Sequence, residues 1–462
     1  MKPVALLVTS PAKEKNNFWT CSITSPVGSL MPPCDLASIA AVLREKGVEP
    51  VILDIRLFDD PMGALLEAVR RIRPEAIITN LGTASAMEDY EIFRATKTLV
   101  PKRIAFCFHA MALPEEVFSI GATHILAGDP EYAAAEAVLG LPSEKGLWTP
   151  ENFTTPPGYV EPLDSLPLPA LDLIDVKVYH SIIMGKEPFS ILLANRGCLF
   201  SCTYCVIPFL LGRKYRALSV TRIVDEIERD VNTFGIRKFF FIDSALNLKL
   251  EWLQGFCEEV LRRGLDIKWC GNMRVSPINI PLLQLMKRSG CFRIFFGVED
   301  LDLIKELNRK TTREDTRQAF AMCREAGIET VAFTILNDGL DATESAMAKR
   351  IVNMVAELRA DALQCNIAIP YPGSAMFEDY KTKYDMPTDW SRYDPAGFAP
   401  PVPSDLDLVK ARRLVYLHYF LRNPKYLWKT FCSTDLRSLY SFAHNSIKVL
   451  WHNPARTQAK SS

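Results

Sequence analysis

The chain has 462 residues, 48% of them hydrophobic, which is more than one ordinary core needs, so we expect two or three domains. Lysine plus arginine and aspartate plus glutamate both total 54, and this balance excludes a global field that would attract nucleic acid or an anionic membrane. The first apolar run (4–8) is too short for a signal peptide, and no later run approaches the roughly 18 apolar residues of a membrane-spanning helix, so we expect a cytoplasmic protein.

Residues 1–141 alternate strand and helix patterns. An amphipathic helix follows the first strand and stops at Gly47. The apolar strands are VALLV (4–8), VEPVILDI (48–55), AIITNLG (76–82) and RIAFCF (103–108). Such alternation predicts a parallel, doubly wound, Rossmann-like sheet. The G-x-G-x-x-G turn of dinucleotide-binding domains is absent after the first strand, which argues against a nicotinamide or flavin site there.

Prolines crowd residues 142–169, and we interpret residues 142–185 as a linker. Strand and helix patterns alternate again over 186–385, where six units predict a partial (β/α)6 barrel with its chemistry at the carboxyl ends of the strands. The six predicted strands are 190–197, 238–245, 266–274, 293–300, 329–336 and 362–370. Residues 386–462 begin with a second proline-rich stretch and continue as an aromatic, basic segment, for which we expect a packed helical appendage. The predicted fold class is therefore α/β with a C-terminal helical region.

Three of the twelve cysteines are clustered in RGCLFSCTYC (196–205), at Cys198, Cys202 and Cys205. The other nine are scattered among apolar neighbours, as buried hydrophobes are. A structural zinc site needs four ligands, and His180 is the one histidine near the trio in sequence, so zinc is the weaker alternative. A [4Fe–4S] cluster held by three thiolates keeps one iron open for a substrate or cofactor.

The C-x3-C-x2-C spacing with Tyr204 before the last cysteine resembles the radical S-adenosylmethionine (SAM) superfamily. The resemblance extends in order through LPLPALDLID, FFFID, IKWCGNMR, GCFRIFFGVED and PYPGSAMF, and MPPCDLASIAAVLREKG is similar as well. These segments occur in the subgroup with an N-terminal cobalamin (B12)-binding-type domain. The resemblance covers about residues 1–380 and implies a [4Fe–4S] cluster on the three cysteines, with SAM at the open iron.

The resemblance also implies roles for further residues, each with a structural alternative. Tyr204 would support the SAM adenine, or pack the loop. Asp243 would receive the SAM ammonium and Glu299 would face the ribose or amino-acid end, or each would cap the helix that follows. Arg274 would pair with the SAM carboxylate, or form an ion pair at the barrel rim. Gly197 would let the loop approach the cluster, or serve as an ordinary turn glycine.

Cobalamin binding in the first domain is implied by Thr79 and Leu81, which match the small-hydroxyl-x-Leu motif of relatives. Three departures weaken the match: no histidine follows the first strand, Cys107-Phe108 stands where relatives have two glycines, and GDPEYAA (128–134) replaces a Gly-Glu-Gly-Glu turn. His109 follows where relatives often keep a histidine, although a lone histidine more often packs or caps. Cobalamin without a lower histidine ligand is therefore the expectation.

The first functional hypothesis is a cobalamin-dependent radical SAM C-methyltransferase acting on an unactivated carbon of a small molecule such as a lipid, pigment or natural product. It implies an external electron donor such as a flavodoxin or ferredoxin. The second hypothesis is a radical SAM enzyme without functional cobalamin that catalyses a rearrangement, cyclisation or carbon–carbon coupling. The third is a non-catalytic zinc protein.

Overall fold

The structure is a computed structural model that describes residues 2–12, 15–18, 21–24, 29–181, 183–185, 187–337, 339–395, 397, 400–402 and 404–424. None of the helices in these ranges combines the length and the hydropathy that crossing a membrane would require. The predicted tail beyond residue 424 lies outside the described residues.

The first domain is built on a six-stranded sheet, with a short hairpin between the first and second strands of that sheet along the chain. The strands, with the hairpin second and third, are β1 (Val4–Val8), β2 (Lys15–Phe18), β3 (Cys21–Thr24), β4 (Glu49–Leu53), β5 (Ala76–Asn80), β6 (Lys102–Phe106), β7 (His124–Leu126) and β8 (Leu147–Trp148). The sheet order is β4-β1-β5-β6-β7-β8, with β8 antiparallel to β7 and the other pairs parallel. The predicted parallel sheet is confirmed, and β8 extends it into the stretch predicted as linker. The order reverses between β1 and β5, the point where ligands bind in open α/β sheets.

Helices connect these strands as the apolar spacing predicts. They are α1 (Cys34–Glu45), α2 (Pro61–Ile72), α3 (Ala86–Thr96), α4 (Phe108–Ala112), α5 (Pro114–Ser119) and α6 (Pro130–Leu139). In α1, Leu36, Ile39, Ala40 and Leu43 lie at helical spacing and are all buried. The helix stops before Gly47, whose φ of +82° lies in the left-handed region that glycine tolerates.

The proline-rich stretch packs along the first domain. The amide of Ala170 donates to the Ala37 carbonyl of α1 at 2.9 Å. Leu163, Leu171 and Tyr179 are buried in the same core as the two sheets. This stretch therefore packs between the two domains and does not act as a flexible linker.

The second domain is a six-stranded parallel sheet with helices between the strands. Its strands, together with a short two-stranded ladder, are β9 (Phe189–Leu192), β10 (Asn195–Arg196), β11 (Arg216–Ala217), β12 (Lys238–Phe241), β13 (Lys268–Met273), β14 (Cys291–Gly297), β15 (Glu329–Leu336) and β16 (Ala362–Ile367). The order β16-β15-β14-β13-β12-β9 follows the chain, and all pairs are parallel. The predicted partial barrel is confirmed, and its mouth is the edge where the carboxyl ends of these strands meet.

Helices cover the outer face of the barrel and follow it along the chain. They are α7 (Ile207–Leu210), α8 (Val220–Phe234), α9 (Leu250–Arg262), α10 (Ile280–Arg288), α11 (Arg313–Glu325), α12 (Glu344–Leu358), α13 (Ala375–Lys381) and α14 (Leu408–Arg422). In α14, the start of the predicted appendage, the Tyr416 hydroxyl accepts a hydrogen bond of 3.0 Å from the Cys365 amide of β16. The aromatic segment therefore packs onto the barrel over the part that the structure describes.

Candidate functional site: the barrel mouth and the cysteine loop

The cysteine loop, residues 197–215, leaves the barrel at β10 and returns at β11. Gly197 opens it with a φ of +83°, and a β-carbon at this position would lie 2.0 Å from the Lys214 carbonyl oxygen. The next residue, Cys198, donates its amide to the Gly212 carbonyl at 3.1 Å. Glycine is therefore required where the two arms of the loop come together, and its close approach is to backbone.

The three cysteines lie in this loop with their side chains partly exposed. The Thr203 amide donates to Leu307 at 3.2 Å, and the Thr203 carbonyl accepts from Met376 at 2.8 Å, so both neighbouring segments of the barrel hold the loop. Burial raises the pKa of Cys198, and it raises that of Cys205 to about 12. These two thiols therefore hold their protons until a metal displaces them.

A single metal ion has no evident ligand set here. Among the residues that the structure describes, no three histidine, cysteine, aspartate or glutamate side chains converge on one point. A cubane cluster binds its thiolates through separate irons, so its ligands do not have to converge in this way. The arrangement gives the zinc alternative no support.

Tyr204 and Glu299 form one partly buried polar group at the mouth. The Tyr204 hydroxyl donates to Glu299 Oε1 at 2.8 Å. Arg309 joins them, with Nη1 3.1 Å from the Tyr204 oxygen and 3.4 Å from Glu299 Oε1. Glu299 has a φ of +59°, a conformation costly for a non-glycine residue and found most often at functional sites. Tyr204 therefore links the cysteine loop to the segments that follow β14.

Asp243 lies just after β12 and is fully buried. Its Oδ1 accepts a hydrogen bond from the Asn195 amide, whereas Oδ2 has no partner among the described residues. Two further oxygens in the same surroundings, Oδ1 of Asn195 and Oδ1 of Asn272, are also buried without a partner. Burial raises the pKa of Asp243 to about 7. This set of acceptors fits a ligand that brings cationic N–H donors.

Neither predicted carboxylate caps a helix. The next helices after Asp243 and Glu299 are α9, preceded by Lys249, and α11, capped by the Thr312 hydroxyl. The capping alternative is therefore wrong for both residues, because turn segments separate them from the helices.

Arg274 lies over the cysteine loop. Its guanidinium carbon is 3.6 Å from the centroid of the Phe200 ring, and its Nε is buried without a partner among the described residues. Burial and the neighbouring Arg309 lower its pKa. No carboxylate of the described residues pairs with it, so the rim ion pair is not formed. A cation held on an aromatic ring with an unused donor fits an anionic ligand group.

The first domain also presents unused polar atoms, at the end of β5. Thr79 Oγ1 and Asn80 Oδ1 are buried without partners among the described residues, beside the fully buried Leu81. The Asn80 amide nitrogen is fixed by Asp35 of α1 at 2.9 Å. These atoms lie where the strand order reverses, which is the expected ligand edge of the sheet.

The end of β6 differs, because protein side chains fill it. Cys107 has a φ of +99°, and the Phe108 ring packs edge-on against Tyr371 of the barrel at 5.7 Å. His109 is fully buried, with Nε2 2.8 Å from the Tyr90 hydroxyl and Nδ1 3.1 Å from Thr83 Oγ1. Burial lowers the pKa of His109 to about 3. Both nitrogens are engaged, so this histidine packs and hydrogen-bonds, and offers no free lone pair to a metal.

Sequence reasoning missed Arg309 and the partners of GDPEYAA. Arg309 follows an aperiodic stretch of turns between β14 and α11, where no local signal marks it. Asp129 and Glu131 of GDPEYAA form ion pairs with Arg196, directly before the cysteine loop.

Comparison with known proteins gives a consistent picture. Residues 192–350 match the family model of the Radical SAM superfamily. An uncharacterized methyltransferase of Pyrococcus horikoshii is 25% identical over 454 residues, which is 93% of this chain and 95% of the relative. The anaerobic magnesium-protoporphyrin IX monomethyl ester cyclase of Cereibacter sphaeroides is 25% identical over 411 residues, 83% of this chain and 65% of the cyclase.

A solved structure shares the fold across both domains. It is that of the radical S-adenosylmethionine methyltransferase TsrM from Kitasatospora setae, with cobalamin and a [4Fe-4S] cluster bound. The TM-score is 0.66 at 19% identity, covering 83% of this chain and 75% of that one. The agreement concerns architecture: a Rossmann-like domain followed by a partial barrel.

Proposed function

Because this chain belongs to the radical SAM superfamily, we propose that it is a cobalamin-dependent C-methyltransferase acting on an unactivated carbon of a small molecule. The observation that carries the proposal is the barrel mouth, where a loop with three cysteines follows β10 and buried oxygens have no partner among the described residues. Unsatisfied buried acceptors are costly, and a ligand that brings donors removes the cost.

Different residues of the barrel mouth would bind the cluster and SAM. Cys198, Cys202 and Cys205 would ligate the [4Fe–4S] cluster, which with SAM at its open iron supplies the 5′-deoxyadenosyl radical. Asp243, with the oxygens of Asn195 and Asn272, would receive the SAM ammonium. Arg274 would pair with the SAM carboxylate, and its placement on Phe200 keeps it at the loop.

Tyr204 and Glu299 would form the wall that faces the adenosine of SAM. Arg309 holds both, so their positions do not depend on the ligand. A wall fixed in advance excludes water from the radical and lowers the ordering cost of binding. We place the adenine and ribose here because this polar group adjoins the last cysteine, Cys205.

Cobalamin would bind at the carboxyl edge of the first sheet and, when bound, supplies the transferred methyl group. The unpartnered oxygens of Thr79 and Asn80, with Leu81 between buried neighbours, fit a ligand at this edge. His109 would not ligate cobalt, since Tyr90 and Thr83 occupy both of its nitrogens. Of the histidines, the one that follows β6 would therefore not serve as the lower ligand of the cofactor.

The Phe108–Tyr371 contact favours a second candidate function. Phe108 fills the end of β6, in the region between the first sheet and the barrel. A radical SAM enzyme without functional cobalamin, catalysing a rearrangement, cyclisation or carbon–carbon coupling, would need no space there. The relative in Cereibacter sphaeroides is named a cyclase, which shows that the similarity is not confined to methyltransferases.

Both candidate functions need an external one-electron donor such as a flavodoxin or ferredoxin. We also propose that the protein is cytoplasmic. The described cysteines of the barrel are free thiols, as expected in a reducing compartment. The substrate class is a small molecule, for example a lipid, pigment or natural product.

Single-turnover incubation with labelled SAM, anaerobically reconstituted protein and candidate substrates tests the proposal. S-Adenosylhomocysteine together with 5′-deoxyadenosine indicates methylation, and a visible spectrum after loading with hydroxocobalamin reports the cofactor. 5′-Deoxyadenosine alone, with no cobalamin retained, would favour the second candidate. One zinc per chain and no sulfide would end the enzyme hypothesis.

A further inference from the structure

The neck of the cysteine loop, where β10 enters and β11 leaves, brings two like charges together. In the pairing of these strands Arg196 lies directly opposite Arg216. Their side chains are only 5% and 4% exposed. Like charges opposite each other destabilise a strand pair, and burial removes the water that would screen them. The loop therefore closes on two cations that must be neutralised.

The neutralising charges come from the first domain. Asp129, before α6, lies between the two arginines: its Oδ2 is 3.2 Å from Arg196 Nη1 and also pairs with Arg216. Glu131 binds Arg196 with both oxygens, at 2.6 and 3.1 Å. Both carboxylates have 0% side-chain exposure. Two carboxylates thus balance two guanidinium groups in a buried network that joins the domains.

Other segments fix the carboxylates. The Val160 amide donates to Asp129 Oδ2 at 2.8 Å, and the Ser38 hydroxyl of α1 donates to Glu131 Oε1 at 3.0 Å. The Tyr159 ring lies 4.9 Å from the Arg216 guanidinium. Asp129 and Glu131 are therefore held by the linker and by the first domain as well as by the arginines of the neck.

We propose that Asp129 and Glu131 are positioning residues for the cysteine loop, carboxylates from the first domain that close its neck and balance the charge beside the cluster. The inference rests on the proposed function in that it takes the cluster to be bound at Cys198, Cys202 and Cys205. Cys198 is two residues from Arg196, so the charge balance at the neck acts on the cluster as well as on the loop. A buried positive charge left unbalanced there favours the reduced cluster, because reduction adds an electron.

The test compares single and charge-balanced variants of the full-length, anaerobically reconstituted protein. The variants are Asp129→Asn, Arg216→Gln and the double variant, and the midpoint potential of the cluster is measured by redox titration followed by electron paramagnetic resonance. We expect a positive shift for Asp129→Asn, a negative shift for Arg216→Gln, and a return close to the parental potential in the double variant. If the neck only held the loop in place, the two single variants would not shift the midpoint potential in opposite directions.

The matched control is Asp172→Asn. It breaks the Arg44–Asp172 pair, which also joins the first domain to the linker but is about half exposed on both sides. No shift is expected, since water screens an exposed pair.

Iron and sulfide content provides the second measurement. If Asp129→Asn is folded by circular dichroism but binds too little iron for titration, recovery of iron in the double variant supports the inference, and failure to recover overturns it. Shifts of the same sign in both single variants, or parental potential and iron in all variants, also overturn it. A parental protein without iron and sulfide would instead refute the proposed function.

Discussion

The barrel mouth and the end of β6 in the first sheet differ in how their buried polar groups are satisfied. At the barrel mouth, oxygens of Asp243, Asn195 and Asn272 are buried without a partner in the described protein. At the end of β6, His109 is equally buried, yet both of its nitrogens are hydrogen-bonded and its ring packs on Trp390 at 5.0 Å. Among the described residues, the acceptors of the barrel mouth stay unpaired, whereas the buried histidine at the end of β6 is fully paired. The unpaired acceptors of the mouth fit a ligand, whereas the paired histidine stabilises the packing of the first domain.

The largest effect is expected from the cysteine loop. Cys202→Ala removes one of three thiolates, so iron and sulfide should fall from about four each per chain to near zero after anaerobic reconstitution, because two thiolates do not retain a cubane. Colorimetric iron and sulfide assays measure this. Cys323→Ala, at a buried cysteine of α11, is the control and should keep its iron. A Cys202→Ala protein with a full cluster would show that the trio is not the ligand set.

The next effect concerns Asp243, whose carboxyl has a pKa of about 7. Asp243→Asn should weaken SAM binding roughly 10- to 100-fold, the loss of one hydrogen-bonded charge pair. Below pH 7 the parental carboxyl is protonated, so parental affinity should rise between about pH 6 and about pH 7.5. Equilibrium binding to the reconstituted protein measures both.

Asp230→Asn is the matched control for Asp243. Burial raises the pKa of Asp230 to about 7 as well, but this residue pairs with Arg229 of α8, away from the mouth. Its variant should keep the parental affinity and pH dependence. Equal losses in the two variants would mean that Asp243 does not contact SAM.

At the end of β6, we expect an effect on the free energy of unfolding at acidic pH. Burial holds the pKa of His109 near 3, below that of an unfolded histidine, so the unfolded chain takes up a proton that the fold rejects as pH falls below about 6.5. The parental protein should lose about 2 kcal/mol more than His109→Gln between pH 6 and pH 4. Urea unfolding at both pH values measures this. A His109→Gln protein that loses as much stability as the parental protein between these pH values would contradict the assignment.

The smallest effect tests the backbone of the same edge. Cys107 holds a φ of +99°, which favours glycine, so Cys107→Gly should be more stable than Cys107→Ala by about 1 kcal/mol. Within a helix, alanine is normally more stabilising than glycine. At Cys257 of α9 the alanine variant should therefore be more stable than the glycine variant by about 1 kcal/mol. Denaturant unfolding of the four variants gives both differences. Alanine preferred at both positions would mean that Cys107 is unstrained.

Local patterns predicted the fold because each strand carries its own signal, as VALLV and ETVAFTIL do, and because six strands in chain order leave few topologies. The cysteine loop was predicted from its spacing. What the sequence left open depends on long-range geometry: Asp129 meets Arg216 across 87 positions of the chain. No local pattern in GDPEYAA indicates that Asp129 pairs with Arg216. The backbone angle of Cys107 is likewise set by the turn from β6 into α4.

The first strand of the barrel, β9, stands at the end of its sheet, and α1 of the first domain covers it there, with Cys34 Sγ 3.9 Å from Ser190 Oγ. Shielding of this kind keeps a bare strand from recruiting other chains. A truncated protein that lacks the first domain would present β9 to solvent, and we expect it to aggregate.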